Sequence, residues 1–177
     1  MNYTIREMKE QEYPLLREFL YEAIFVPEDM EPPSKEILDL PELQVYFDDF
    51  GYSEHDNALV AEIDGEVVGA VWSRIMDDYG HIDDSTPSIS IALYKEYRKQ
   101  GIGASMMKEI LTLLKRKGYA KVSLSVEKKN YAIKLYQRLG FQVFDTNEED
   151  YVMVLYLNST QENSSYFTQR SMKRCLR

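Results

Sequence analysis

Between Ser88 and Leu114 the apolar residues change their period once, and that change constrains the fold more than any other feature. Ile89, Ile91 and Leu93 alternate across Ser88–Tyr94, so a strand with one apolar face is expected there. From Ile102 onward, Met106, Met107, Ile110, Leu111 and Leu114 recur at the spacing of an amphipathic helix. The link between them is Arg98-Lys-Gln-Gly-Ile-Gly103. Gly101 and Gly103 remove side chains where the first-turn amides of the helix, Gly101 to Ser105, have no intrahelical acceptor. A strand, a glycine turn and a helix in this order present N–H groups and the positive end of the helix dipole to an anion. Arg98 and Lys99 add mobile charge beside them. The competing reading is a helix start that binds nothing. The patterns G-x-x-x-x-G-K-[ST] and G-x-G-x-x-G are absent, position 106 being Met.

Upstream, Tyr3–Arg6 reads as a short strand. Gln11 to Phe25 carries Leu15, Leu16, Phe19, Leu20 and Ala23 at helical spacing, with Pro14 in the first turn. After Pro27, Pro32 and Pro33, a second helical stretch is expected from Ser34 and a third over Glu42–Phe50. Ala58–Ile63 and Val67–Ile75 are strand-like on either side of Asp64-Gly65, a strong hairpin signal. Met76–Pro87 is an acidic loop. Downstream, Gly118 ends the long helix after Lys115-Arg116-Lys117, and Lys121–Glu127 is a strand. A helix capped by Asn130 runs to Leu139 before Gly140, and Phe141–Phe144 and Tyr151–Leu157 close the fold.

A chain of 177 residues suits one domain, and 44% apolar with 29% charged residues is a globular composition. The single cysteine, Cys175, excludes a disulfide-built module. No apolar run is long enough to span a bilayer, and the polar, acidic N-terminus is not a signal sequence, so a cytoplasmic protein without membrane contact is expected. Charge is unevenly placed: residues 1–84 sum to −17, residues 85–157 to +5 and residues 158–177 to +3. An acidic first half and a basic second half suit a cationic and an anionic partner respectively, or two solvated faces. The negative total argues against nucleic acid. His55 and His81 have no metal-ligand spacing around them, so no metal is expected.

SISIALYKEYRKQGIGASMMKEIL resembles the acyl-coenzyme-A-binding motif of the GNAT acyltransferase superfamily, in which a strand ending in V-x-P-x-Y-R leads into [QR]-x-x-G-x-[GA] and a helix. Arg98 to Gly103 matches the second pattern at every defined position; Leu93 and Lys95 stand where Val and Pro are frequent. Asn130-Tyr-Ala-Ile-Lys-Leu-Tyr136-Gln-Arg-Leu-Gly140-Phe141 looks like the family block N-x-x-A-x-x-L-Y-x-x-x-G-F, with Ala132 one place early. The resemblance covers roughly residues 1–157 and leaves 158–177 as a polar, basic tail. It implies an α/β (α+β) fold with a single domain. Its central twisted sheet would be mixed but mostly antiparallel, flanked by helices and splayed at the acyl-CoA site.

The same resemblance implies roles by position. Backbone groups of Ile91 and Leu93 would pair with the pantetheine arm of acetyl-CoA as with an added strand. The amides of Lys99, Gln100, Gly101, Ile102, Gly103 and Ala104 would hold the pyrophosphate, assisted by Arg98. Asn130 would hydrogen-bond the cofactor, and Tyr136 would stabilise the departing thiolate. The reaction implied is acetyl transfer from acetyl-CoA to a primary amine, attacked directly in a ternary complex. Where relatives place a glutamate before the glycine-turn strand, this chain has Thr86-Pro87-Ser88-Ile89. His81, Asp83 and Asp84 are then the candidate bases, while Glu22, Glu28 and Asp29 are candidates for the acceptor side. A homodimer is expected by analogy with the fold. A non-catalytic acyl-CoA-binding module and a nucleotide-phosphate binder are the alternatives.

Overall fold

The computed structural model describes residues 2–158. Seven strands form one sheet: β1 Thr4–Glu7, β2 Asn57–Ile63, β3 Glu66–Arg74, β4 Ser88–Leu93, β5 Lys121–Glu127, β6 Gln142–Thr146 and β7 Asp150–Tyr156. Their spatial order is β1-β2-β3-β4-β5-β7-β6. Only β4 and β5 run parallel, joined through the long helix α3, Ile102–Arg116; every other pairing is antiparallel. Helices α1 (Leu15–Ala23), α2 (Pro41–Gln44) and α4 (Ile133–Arg138) complete the fold. It is the mixed, mostly antiparallel α/β sheet expected.

The strand period of two sorts the core into two layers. Leu59, Ala61, Val71, Ile89 and Leu93 pack on one face with Ile102, Met106, Met107, Ile110 and Leu114 of α3. Val60, Ala70, Trp72 and Ala92 pack on the other with Leu16, Phe19 and Leu20 of α1. The β2–β3 turn has Asp64 at φ 51° and Gly65 at φ 86°, the left-handed pair required by a two-residue hairpin.

The N-terminal helices are shorter than their periodicity suggests. Glu10–Glu12 is a 3₁₀ turn, and α1 begins only after Pro14. The stretch after Ser34 is a 3₁₀ turn over Lys35–Asp39. Glu42–Phe50 does not continue as a helix beyond Gln44. Arg74 reaches from β3 and donates through Nη1 to the carbonyls of Val45 (3.0 Å) and Asp48 (2.8 Å). Trp72 donates its Nε1–H to Tyr46 O at 3.0 Å. Carbonyls engaged by side chains of another element are drawn away from the helical ladder. The tail expected at 158–177, including Cys175, lies outside the described residues from 159 onward.

Candidate active site

Beta strands β4 and β5 touch at one register pair, Ser88 with Ser123, and part beyond it. Ser123 N–H donates to Pro87 O at 3.0 Å at this fork. On the other edge, Tyr94 N–H donates to Val68 O of the hairpin, so alternation turns the backbone groups of Ile89, Ile91 and Leu93 toward the gap. The result is a strand edge inside the molecule on which the groups of Ile91 and the Leu93 N–H have no partner among the described residues, while Leu93 O is taken by Arg98. This edge forms one wall of a cleft of about 1070 Å³, lined also by the end of α1, Phe25 to Glu28, Met30, Pro32 and Pro33, and by Tyr46, Asp78, Tyr79, Asn130 and Tyr136.

At the open end of the fork the chain forms a nest. Lys99 sits at φ 60° and Gly101 at φ 85°. Ser105 N–H makes the first helical bond, to Gly101 O. The six preceding N–H groups, Lys99 through Ala104, have no acceptor among the described residues. Left-handed residues beside a helix start aim successive amides at one point, which suits a phosphate. A Cβ on Gly101 would meet nothing within 4 Å, so glycine is required there by backbone angle; on Gly103 it would make an ordinary 3.4 Å contact with Leu93. Gln100 itself turns away, donating Nε2–H to Glu96 O at 2.7 Å, and the Ile102 side chain is buried in the core.

Arg98 is committed elsewhere. Its Nε donates to Leu93 O at 2.8 Å, and Nη2 donates to Glu22 O and Oε2, each at 2.9 Å. Only Nη1 has no partner among the described residues, so the phosphate-assisting role expected of Arg98 narrows to that nitrogen. Lys99 stands over the exposed Tyr131 ring, 5.6 Å from its centroid. Asn130 accepts from Ala132 N–H at 2.9 Å, which turns the chain into α4 and leaves its amide nitrogen free of protein partners among the described residues. Tyr136 is 8% exposed and packs against Phe141, with ring centroids 5.9 Å apart. Burial, with Tyr131 adding slightly, pushes its phenol up to about 12. Its hydroxyl makes no hydrogen bond among the described residues, so Tyr136 is a neutral donor at the cleft wall.

The structure places two of the candidate bases away from the cleft. Neither His81 nor Asp83 lines the cleft. His81 turns Nδ1 to Met76 O at 2.9 Å and Nε2 toward Asp84 at 3.7 Å. Asp83 accepts from Lys121 Nζ at 2.7 Å and from Ser85 and Thr86, and these bonds hold its carboxyl well below the usual range. Such a carboxylate is a weak base. The residue that sequence reasoning passed over is Asp78, five positions earlier in the same loop and part of the cleft lining. A run of loop acids offers no periodicity to single one out.

The cleft carries opposite charges in different parts. Lys95, Arg98 and Lys99 come from the turn that ends the open strand, whereas Glu22, Glu28, Glu42 and Asp78 come from the N-terminal half. Glu127, Glu149 and Asp150 add carboxylates at the β5–β7 side. Burial and the two neighbouring acids raise the Glu127 carboxyl. Asp29 does not line the cleft.

Residues 17–141 match the acetyltransferase (GNAT) family model. Over 91 residues the chain is 35% identical to an N-alpha-acetyltransferase of Sulfurisphaera tokodaii, covering 47% of this chain and 54% of that protein. Over 92 residues it is 30% identical to N-acetyltransferase family 8 member 3 of Mus musculus, covering 51% and 41%. The chain thus spans about half the length of the curated relatives it matches. In fold it is similar to PaiA N-acetyltransferase of Thermoplasma acidophilum, solved in complex with coenzyme A. The TM-score is 0.62 at 23% identity, covering 88% of this chain and 99% of that one.

Proposed function

The chain belongs to the acetyltransferase (GNAT) family, and from that membership we propose that it transfers an acetyl group from acetyl-CoA to a primary amine by direct attack in a ternary complex. The observation that carries this reading is the fork. An open strand edge accepts an extended amide-bearing arm as a further strand, and six amides without a partner among the described residues lie at one end of that edge, ready for phosphate. The arm supplies the activated acetyl group; the chain supplies its alignment. Ile91 and the Leu93 N–H hold the arm, Lys99 to Ala104 and Arg98 Nη1 hold the pyrophosphate, and Asn130 offers its amide nitrogen. Tyr136 donates its O–H where negative charge grows on sulfur.

Carboxylates on the N-terminal side and at the β5–β7 edge favour a cationic acceptor, and the exposed Met30, Leu40 and Tyr79 on the same lip suit one with apolar parts. An acceptor amine must attack neutral. At pH 7 that costs about 1.4 kcal/mol for an α-amine near pKa 8 and about 4.6 kcal/mol for a lysine-like amine, so α-amines of peptides are the easier substrates. The test is thiol release from acetyl-CoA across polyamines, aminoglycosides, amino acids and peptides, beside calorimetry with acetyl-CoA. Saturable binding with turnover on at least one amine is expected. Binding without turnover on any amine would replace the enzyme by an acyl-CoA-binding module, and absence of binding would end the reading.

A further inference from the structure

The fork has a floor, and the floor contains a carboxylate. Loop residues Asp78 to Gly80 cross beneath the point where β4 and β5 part. A Cβ on Gly80 would lie 2.6 Å from Ser88 Oγ, 3.1 Å from Ser125 N and 3.2 Å from Asp78 Oδ2, so only glycine lets the loop sit this close to both strands. Asp78 Oδ2 accepts from Ser88 Oγ at 2.7 Å, and Ser88 is itself buried. The Tyr46 hydroxyl lies beside the carboxylate, while Oδ1 is buried and meets no donor at hydrogen-bond distance and angle among the described residues. Among the described residues no lysine or arginine pairs with Asp78. An unpartnered buried carboxylate oxygen is costly unless something else uses it.

The geometry of the cleft says what would use it. The phosphate nest lies beyond the C-terminal end of β4, so an arm laid along the β4 edge runs back toward Ser88. At about 3.3 Å per residue, Leu93 to Ser88 covers about 17 Å, which brings the far end of such an arm to the fork. We propose that Asp78 is the general base of this site, with Oδ1 taking the proton from the acceptor nitrogen and Ser88 positioning Oδ2. The assignment rests on the acetyl-transfer reading above. As the nitrogen bonds to the thioester carbonyl carbon, the carbon–sulfur bond breaks and its electron pair goes to sulfur. One nitrogen proton passes to Asp78 Oδ1 and then through solvent to the thiolate, which Tyr136 meanwhile stabilises. The products are an amide and a free thiol, and the balance needs no other reactant.

The surroundings suit the role. The titratable group beside the Asp78 carboxyl is the phenol of Tyr46, which burial pushes far up so that it stays neutral. Burial pushes the Asp78 carboxyl above its ordinary range, which moves its basicity toward that of an amine. The other carboxylates of the cleft are less well placed. Glu22 is bound to Arg98, and Glu127 stands at the opposite end of β5 from the fork.

The test is D78N, which keeps the side-chain shape, read by turnover, acetyl-CoA affinity and thermal midpoint together. With an amine that the wild-type chain acetylates, kcat/KM is expected to fall about 10²–10⁴-fold, with acetyl-CoA Kd and the thermal midpoint little changed. The acid limb set by the amine itself should persist in D78N, whereas the further fall that Asp78 adds at lower pH should disappear. In S88A that further fall should move to higher pH, because a bond that favours the charged form is lost. Turnover by D78N within a few-fold of wild type overturns the assignment alone, as does a parallel loss of acetyl-CoA affinity. If the wild-type chain itself acetylates nothing, the acetyl-transfer reading fails and this assignment with it.

Discussion

Removing one oxygen atom from Tyr136 tests the chemistry of the cleft most directly. With the phenol held at about 12 and a thiol near 8.5, complete proton transfer to the departing sulfur is uphill by about 5 kcal/mol. Tyr136 is therefore expected to act as a fixed hydrogen-bond donor to growing charge, not as an acid that surrenders its proton. Losing one such donor in a water-poor site costs about 3–4 kcal/mol in the transition state, or about 10²–10³ in kcat. The same hydroxyl has no partner among the described residues, so its loss leaves nothing unsatisfied in the fold. The ring and its packing on Phe141 remain. Tyr136→Phe should thus lower kcat by that factor in steady-state assays while acetyl-CoA Kd by calorimetry stays within about twofold and the thermal midpoint within about 2 °C. A variant with wild-type kcat would refute the donor role. Loss of affinity or stability in proportion to kcat would make Tyr136 a binding or packing residue instead.

Gly101→Ala isolates the nest: the added Cβ meets nothing within 4 Å, so the cost is the left-handed backbone, about 1–2 kcal/mol. Denaturant titration should show that loss, with acetyl-CoA affinity weakened about tenfold if the loop rotates to relieve the strain; unchanged stability and affinity together would contradict the reading of the turn. Away from the cleft, the Arg6 bond holds the Glu12 carboxyl down at about 2 against an ordinary 4.5. A depressed carboxyl stabilises the fold fully above its ordinary value and loses that contribution as pH falls toward 2. The wild-type thermal midpoint should therefore drop between pH 4.5 and 2, and E12Q should be less stable at pH 7 with a flatter drop; parallel curves would show that the pair contributes nothing.

Where local sequence and tertiary demand agreed, the elements were legible in advance. Strand β5 begins and ends where its apolar pattern does, α3 starts after Gly101, and Asp64-Gly65 turns the hairpin. Those signals are local: a side-chain period, a left-handed residue, an unsatisfied helix end. The 42–50 stretch was not legible, because its helix is interrupted by Arg74 and Trp72, some thirty residues away in sequence.

The amino-acid sequence by itself determined the strand, nest and helix, because glycine tolerance of positive φ and orphan amides at a helix start are properties of consecutive residues. It also determined that an aromatic hydroxyl would follow on the short helix α4. Only the tertiary structure decided how those pieces work together. The parting of β4 from β5 depends on a single register pair across a crossover. Glu22, from a helix more than seventy residues earlier, holds Nη2 of Arg98 and leaves only Nη1 for the phosphate nest. Among the loop acids, Asp83 is neutralised by Lys121, whereas Asp78 is buried beside Ser88 with one oxygen unpartnered among the described residues. The difference between an inert carboxylate and a basic one lies in its neighbours, and those neighbours are brought together only by the fold.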